Sequence, residues 1–386
     1  MSAVRFHLTH ARIVLADQVL EDASLLIEDG RIDAIGPIAF GDAVELDLGG
    51  RLLLPGMIDL HCDAIEKEAE PRAGVMFPLD VACAQIDRRN AAAGITTPFH
   101  ALSFAHAEWG VRNNDTAAAL VRQMHAFRPH GLVDNRIHVR YEITDASALP
   151  YILTLIDEQC IELLSLMDHT PGQGQFRHLE KYVAYLMGNH GSSREAAERL
   201  AEEKLRARET ADDRVMALME RARAAGVPMA SHDDDNADRV ATMKRLGASM
   251  SEFPIDLDTA RAAHAAGLAT ILGAPNVMRG GSQSGNMRAL DAIEAGVADC
   301  LCADYAPATM LAAVMALASR GPLSLPEAVR LVSLGPARAA GLEDRGEIAT
   351  GLRADLIMID EPGGVPVVTA TWCGGRPVFH AGYPQV

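Results

Sequence analysis

From Arg51 onward the chain alternates short apolar runs with Ala-rich stretches, and it does so eight times. The runs are Leu52–Asp63, Ile95–Ala101, Ile137–Ile143, Leu163–His169, Pro228–Asp233, Met250–Ile255, Thr270–Pro275 and Ala298–Tyr305. Near-continuous apolar strands separated by helical stretches are what a parallel sheet covered on both faces requires. Eight of them predict an α/β architecture of the (β/α)8 TIM barrel kind. A doubly wound sheet would more usually carry a Gly-rich phosphate loop after its first strand, and no G-x-G-x-x-G stands there.

The two ends differ from this middle. Val4–Thr9, Arg12–Leu15, Ser24–Glu28 and Arg31–Gly36 are β-prone, broken by Asp-Gly and Gly-Pro. After Gly341 the chain returns to strand texture in GEIATGLRADLIMID and VPVVTATWCGGRPVFHAG. The expected division is therefore a small β-sandwich domain from residues 1–56 plus 342–386, and a barrel over 57–341. Residues 177–225 are too long for one crossover and predict an insertion of two or more helices.

With 49% hydrophobic and 23% charged residues, the 386-residue chain has ample material for a large core. Its net charge of −17 argues against nucleic acid or an anionic membrane as partner. The six cysteines form no C-x-x-C pair, which argues against a zinc ribbon and fits a reducing, cytoplasmic setting. Arg5, His7, His10 and Arg12 interrupt the N-terminal segment, so neither a signal peptide nor a membrane span is expected. A homo-oligomer is compatible with all of this.

In a barrel, chemistry sits where strands end. His61 and Asp63 end the first run at i and i+2, on one face, with Cys62 facing away. Glu142, His169, His232 and Asp304 end the third, fourth, fifth and eighth runs. These six residues could hold one or two divalent ions. Taken singly, each could instead cap a following helix. Histidines 7, 10, 106, 125, 130, 178, 190 and 264 read as surface or loop residues. Cys300 and Cys302 read as core, and most of the Asp233–Asp235 run as solvated, with one member free to stand behind a ligand.

The segment GAPNVMRGGSQSGN follows the seventh run. Asn276, Arg279, Gly280, Gly281 and Ser282 could bind an oxyanion through backbone N–H groups and a guanidinium. A flexible barrel loop is the alternative. Lys67, Arg72, Arg177 and Lys181 fall just beyond other strand ends, where local cations would offset the acidic mean field for an anionic substrate.

LLLPGMIDLHCD and GEIATGLRADLIMID, which bracket nearly the whole chain, resemble the opening and closing motifs of the amidohydrolase superfamily. The second histidine of the opening motif is here Asp63. HCDAIEK, LMDHTPGQGQF, ASHDDD, EFP, GAPNVMRGGSQSGN and ADYAP resemble one branch of it, which acts in phosphonate catabolism. That resemblance implies hydrolysis of a ribose 5-triphosphate to the 5-phosphate and pyrophosphate. It implies that His61, Asp63, Glu142, His169, His232 and Asp304 are the metal ligands, with Glu142 bridging and Asp304 also taking the proton of water. Zinc is the first expectation, with manganese or iron as alternatives; one ion instead of two stays open, because a carboxylate at position 63 changes the softness of the first site. The superfamily usually carries its two later histidines on strands five and six rather than four and five, so a strand could be hidden in 177–225. Two other readings stay open: a deacetylase or deaminase acting on a C–N bond, and a non-catalytic scaffold barrel.

Overall fold

The computed structural model describes residues 5–36, 43–105, 111–174, 179–190, 193–283 and 285–383, without the side chains at 181, 185 and 188–190. The expectations for Arg177 and for the Lys181 side chain lie outside these residues, as do those for His106, His178 and the His190 side chain.

The barrel strands are β6 (Met57–Cys62), β7 (Ile95–Phe104), β8 (Arg136–Glu142), β9 (Leu163–Met167), β10 (Met229–His232), β11 (Met250–Glu252), β12 (Ala269–Gly273) and β13 (Cys300–Cys302). Each pairs in parallel with the next. A parallel bridge between Cys62 and Asp304 closes the ring. There Asp304 N–H donates to the His61 carbonyl at 2.8 Å and Asp63 N–H to the Asp304 carbonyl at 3.0 Å.

Each of the eight apolar runs thus contains one barrel strand. Glu142, His169 and His232 belong to the third, fourth and fifth. Among the described residues, 177–225 holds no strand: it forms helices Leu179–His190, Arg194–Arg208 and Ala211–Ala224.

Five further strands precede the barrel: β1 (Phe6–Val14), β2 (Val19–Glu28), β3 (Arg31–Ile35), β4 (Val44–Asp47) and β5 (Leu52–Pro55). Three follow it: β14 (Leu356–Asp360), β15 (Val367–Cys373) and β16 (Arg376–His380). They form one sheet in the order β16-β15-β14-β5-β1-β2-β3, with β4 on β1. The two ends of the chain meet where β14 pairs antiparallel with β5.

Three sequence expectations are corrected here. The run Leu52–Asp63 is two strands in two sheets. The break falls at Gly56, where a Cβ would lie 2.3 Å from Thr96 Oγ1, so only glycine admits the close approach. Val4 lies outside the described residues; the rest of the run read as Val4–Thr9 and the run Arg12–Leu15 meet in one strand, β1 (Phe6–Val14), whose irregular register spans His10 at φ +50°. His7, read as a surface residue, is buried within that strand.

The small domain has its own core of residues from both ends, including Leu8, Leu25, Leu53, Leu356 and Trp372. Leu53→Ala should cost about 2–5 kcal/mol, the usual range for a fully buried leucine. Thermal or denaturant unfolding would measure it, and a loss under 1 kcal/mol (roughly a buried methylene) would show that the seam tolerates a cavity.

Candidate active site

The barrel interior changes character along each strand. Ala230, Met250, Cys300 and Cys302 belong to one apolar interior cluster with Ile58, Leu60, Phe99 and Ile271. Two residues further along the same faces come His232, Glu252 and Asp304. The two cysteines are core, as expected, and all six cysteines are free and buried.

His61 is 1% exposed, with its Nδ1 3.1 Å from Glu252 Oε1. Its ring centroid lies 5.3 Å from that of His138 and 5.7 Å from that of His232. His232 lies 6.0 Å from His169, so three of the predicted imidazoles meet at the mouth. Glu142 joins them through Oε2, 3.0 Å from His169 Nδ1. Its other oxygen accepts from Thr144 Oγ1 at 2.7 Å. Asp63 and Asp304 stand together at the closing seam, and Asp63 Oδ2 lies 3.4 Å from Arg112 Nη2. No side chain of the six caps the helices that follow β6, β8, β10 and β13. The helix after β10 is capped by Asn236.

Several residues here were not singled out from the sequence. Asp233 Oδ2 lies 3.2 Å from His232 Nδ1 and 3.7 Å from His169 Nε2. Asp234 is fully buried and accepts from the Ser231 and Ser251 hydroxyls. The acidic run after His232 is therefore not solvated. Asp233 takes φ +54°, which turns its side chain back toward the barrel instead of outward. Phe253 and Asp304, at φ +53° and +54°, mark the same edge of the barrel. Glu252, His138 and Arg140 face the interior, and Lys204 reaches in from the helical insertion to 3.4 Å from Glu142 Oε2. Period-two spacing back from Glu142 through Arg140 to His138 was the available signal for that pair.

The charges follow from these contacts. Burial alone would raise the Glu142 carboxyl, but Lys204 and His169 outweigh it and hold it well below the usual range. His169 loses to burial yet gains more from Asp233 and Glu142, and is pushed up to about 9. Burial and the neighbouring Asp63 carboxylate push Asp304 up to about 7, against the pull of Arg140 and Arg112.

The atoms left over suit a cation. His61, His138 and Glu252 present one group of converging donor atoms, and His169, His232 and Asp233 another, each within 4.8 Å. His232 Nδ1, Asp233 Oδ2 and Glu252 Oε2 are buried without an aligned hydrogen-bond partner. Buried orphan acceptors of this kind are costly unless something electropositive meets them. Imidazole and carboxylate together suit a divalent transition metal.

The oxyanion segment starts differently from a free loop. Ala274–Arg279 is a short helix, so the run read as strand Thr270–Pro275 ends at Gly273. Gly280 follows at φ +72°, with room for a side chain but not the backbone for one. The Asn276 amide is engaged within the segment, donating to the Met287 carbonyl and accepting from Ala289 N–H. Arg279 and Gly280 are exposed, and Gly281 and Ser282 are half-buried. Lys67 and Arg72 are exposed on the segment that follows β6.

A barrel with imidazoles and carboxylates at the C-terminal ends of its strands, flanked by a β-domain made from both termini, defines a class. The chain belongs to the amidohydrolase family, whose model matches residues 184–379. It is 33% identical over 380 residues to the α-D-ribose 1-methylphosphonate 5-triphosphate diphosphatase of Escherichia coli (strain K12), a match covering 96% of this chain and 100% of that protein. A stretch of 65 residues is 43% identical to the imidazolonepropionase of Paracoccus denitrificans (strain Pd 1222), covering 14% of this chain and 16% of that one. The solved N-acetyl-D-glucosamine-6-phosphate deacetylase from Mycobacterium smegmatis shares the fold, with a TM-score of 0.66 at 18% identity over 97% of this chain and 100% of that one.

Proposed function

We propose that this hydrolase cleaves the triphosphate of α-D-ribose 1-methylphosphonate 5-triphosphate, giving the 5-phosphate and pyrophosphate. The observation that carries the reading is the end-to-end similarity to the Escherichia coli diphosphatase. The mouth supports it: a chain of net charge −17 places Arg112, Arg140 and Lys204 among its catalytic-end carboxylates and imidazoles.

Divalent ions held by His61, Asp63, Glu142, His169, His232 and Asp304, with Asp233 and Glu252 as additional donors, would supply Lewis acidity toward phosphoryl oxygen and acidify water. Asp304 accepts the proton of the attacking water as its oxygen bonds to the α-phosphorus. The α–β bridging P–O bond breaks, and pyrophosphate leaves with the bridging oxygen. Arg279, Lys67 and Arg72 meet the β- and γ-phosphates, with Arg177 a further candidate, and the backbone at Gly280, Gly281 and Ser282 approaches the same oxygens. Asn276, a further candidate for the same oxygens, also holds that segment in shape through its bonds to Met287 and Ala289.

Cleavage of a C–N bond is the second reading, favoured by the 65-residue match to an imidazolonepropionase. A panel of ribose triphosphates and N-acyl or cyclic amide substrates at equal metal loading separates the two. Pyrophosphate release is expected, and hydrolysis of the amides alone would overturn the proposal. Arg279→Ala should lose roughly ten- to a hundred-fold in kcat/KM at unchanged metal content. That is the scale of one charged hydrogen bond. Wild-type turnover in this variant would remove Arg279 from the account.

A further inference from the structure

Arg140 lies on β8 between His138 and Glu142 and shares their inward face. It is 7% exposed. Among the described residues, no carboxylate lies within ion-pair distance of its guanidinium. Among those residues its one hydrogen bond runs from Nη2 to His232 Nε2 at 3.3 Å, and its buried Nε has no partner there. Asp304 and Glu66 meet this charge only from beyond ion-pair distance; burying a guanidinium whose donors find no carboxylate is costly, and one imidazole nitrogen compensates little of it.

The single contact is also one that a working site gives up. If His232 ligates a cation through Nε2, that lone pair is used. If it ligates through Nδ1, the remaining proton sits on Nε2, which then cannot accept from Arg140. In either case a fork of N–H donors at the floor of the mouth is left facing the reaction space, shaped for bidentate contact with an oxyanion.

We propose that Arg140 is a substrate-binding residue that takes non-bridging phosphoryl oxygens of the anionic substrate at the base of the mouth. The assignment rests on the phosphoanhydride reading for the identity of that anion, and it places a buried cation where charge must be met, inside the exposed lysine and arginines of the rim.

The test is calorimetric titration of metal-loaded protein with inorganic tripolyphosphate, using wild type, Arg140→Met and Arg140→Lys, with metal content and thermal midpoint measured on each. Arg140→Met should bind tripolyphosphate roughly ten- to a hundred-fold more weakly, and Arg140→Lys by an intermediate amount. Metal content should be retained. The midpoint of Arg140→Met should equal or exceed that of wild type, because a buried guanidinium with no ion-pair contact has been removed. Unchanged tripolyphosphate affinity in Arg140→Met would overturn the assignment. So would a lowered midpoint or failure to fold in both variants, which would make Arg140 a structural residue. If wild type released pyrophosphate from no ribose triphosphate but still bound tripolyphosphate through Arg140, the proposed reaction would fall and this assignment would stand.

Discussion

Replacing His232 by alanine should strip metal from the protein and lower kcat/KM by roughly three decades or more, the scale of several kcal/mol of lost Lewis-acid stabilisation. His232 is the chosen position because its ring stands between His61 at 5.7 Å and His169 at 6.0 Å. Its Nδ1 and the adjacent Asp233 Oδ2 are buried atoms without an aligned partner. The fold should survive, since the apolar layer at Ala230 and Met250 lies below the substitution. Elemental analysis per chain alongside turnover gives the answer. A variant with wild-type metal content and activity would place the working site elsewhere.

Asp304→Asn should lower kcat/KM by about 10²- to 10⁴-fold, the usual contribution of a positioned general base. The wild-type profile should rise with pH, because only the carboxylate can take a proton from water. Burial and the Asp63 carboxylate raise Asp304 to about 7 in the protein without metal. A bound cation favours the charged form and moves that midpoint downward. The acid limb of kcat/KM should therefore have its midpoint at or below about 7, and it should disappear in Asp304→Asn, whose amide does not titrate. An identical limb in the variant would assign the proton transfer to another group.

The barrel was legible because its strands are covered on both faces. Each therefore reads as an apolar run, and each of the eight runs contains one of β6–β13, the first of them with β5 as well. The same uniformity hid the break at Gly56, where two strands of different sheets adjoin without a polar residue between them. At the site, the residues ending strands were legible because ligand-type side chains are rare at the end of an apolar run. Asp233 was not, because its role depends on a left-handed backbone that turns the second residue of an acidic run inward. Arg140 was hidden for a related reason: a charged residue within a strand reads as solvent-facing until the alternation is anchored on Glu142. Lys204 belongs to a helix more than sixty positions beyond Glu142, and no local pattern links the two.

Phosphorus NMR of the reaction in ¹⁸O-enriched water distinguishes the proposed metal-dependent hydrolysis of a phosphoanhydride from cleavage of a C–N bond. Metal-loaded protein supplied with α-D-ribose 1-methylphosphonate 5-triphosphate should yield one pyrophosphate per turnover, with the label in the 5-phosphate, and chelation should stop the reaction. A triphosphate that stays intact under these conditions, while the same protein hydrolyses an N-acyl or cyclic amide substrate, would make the protein a C–N hydrolase instead.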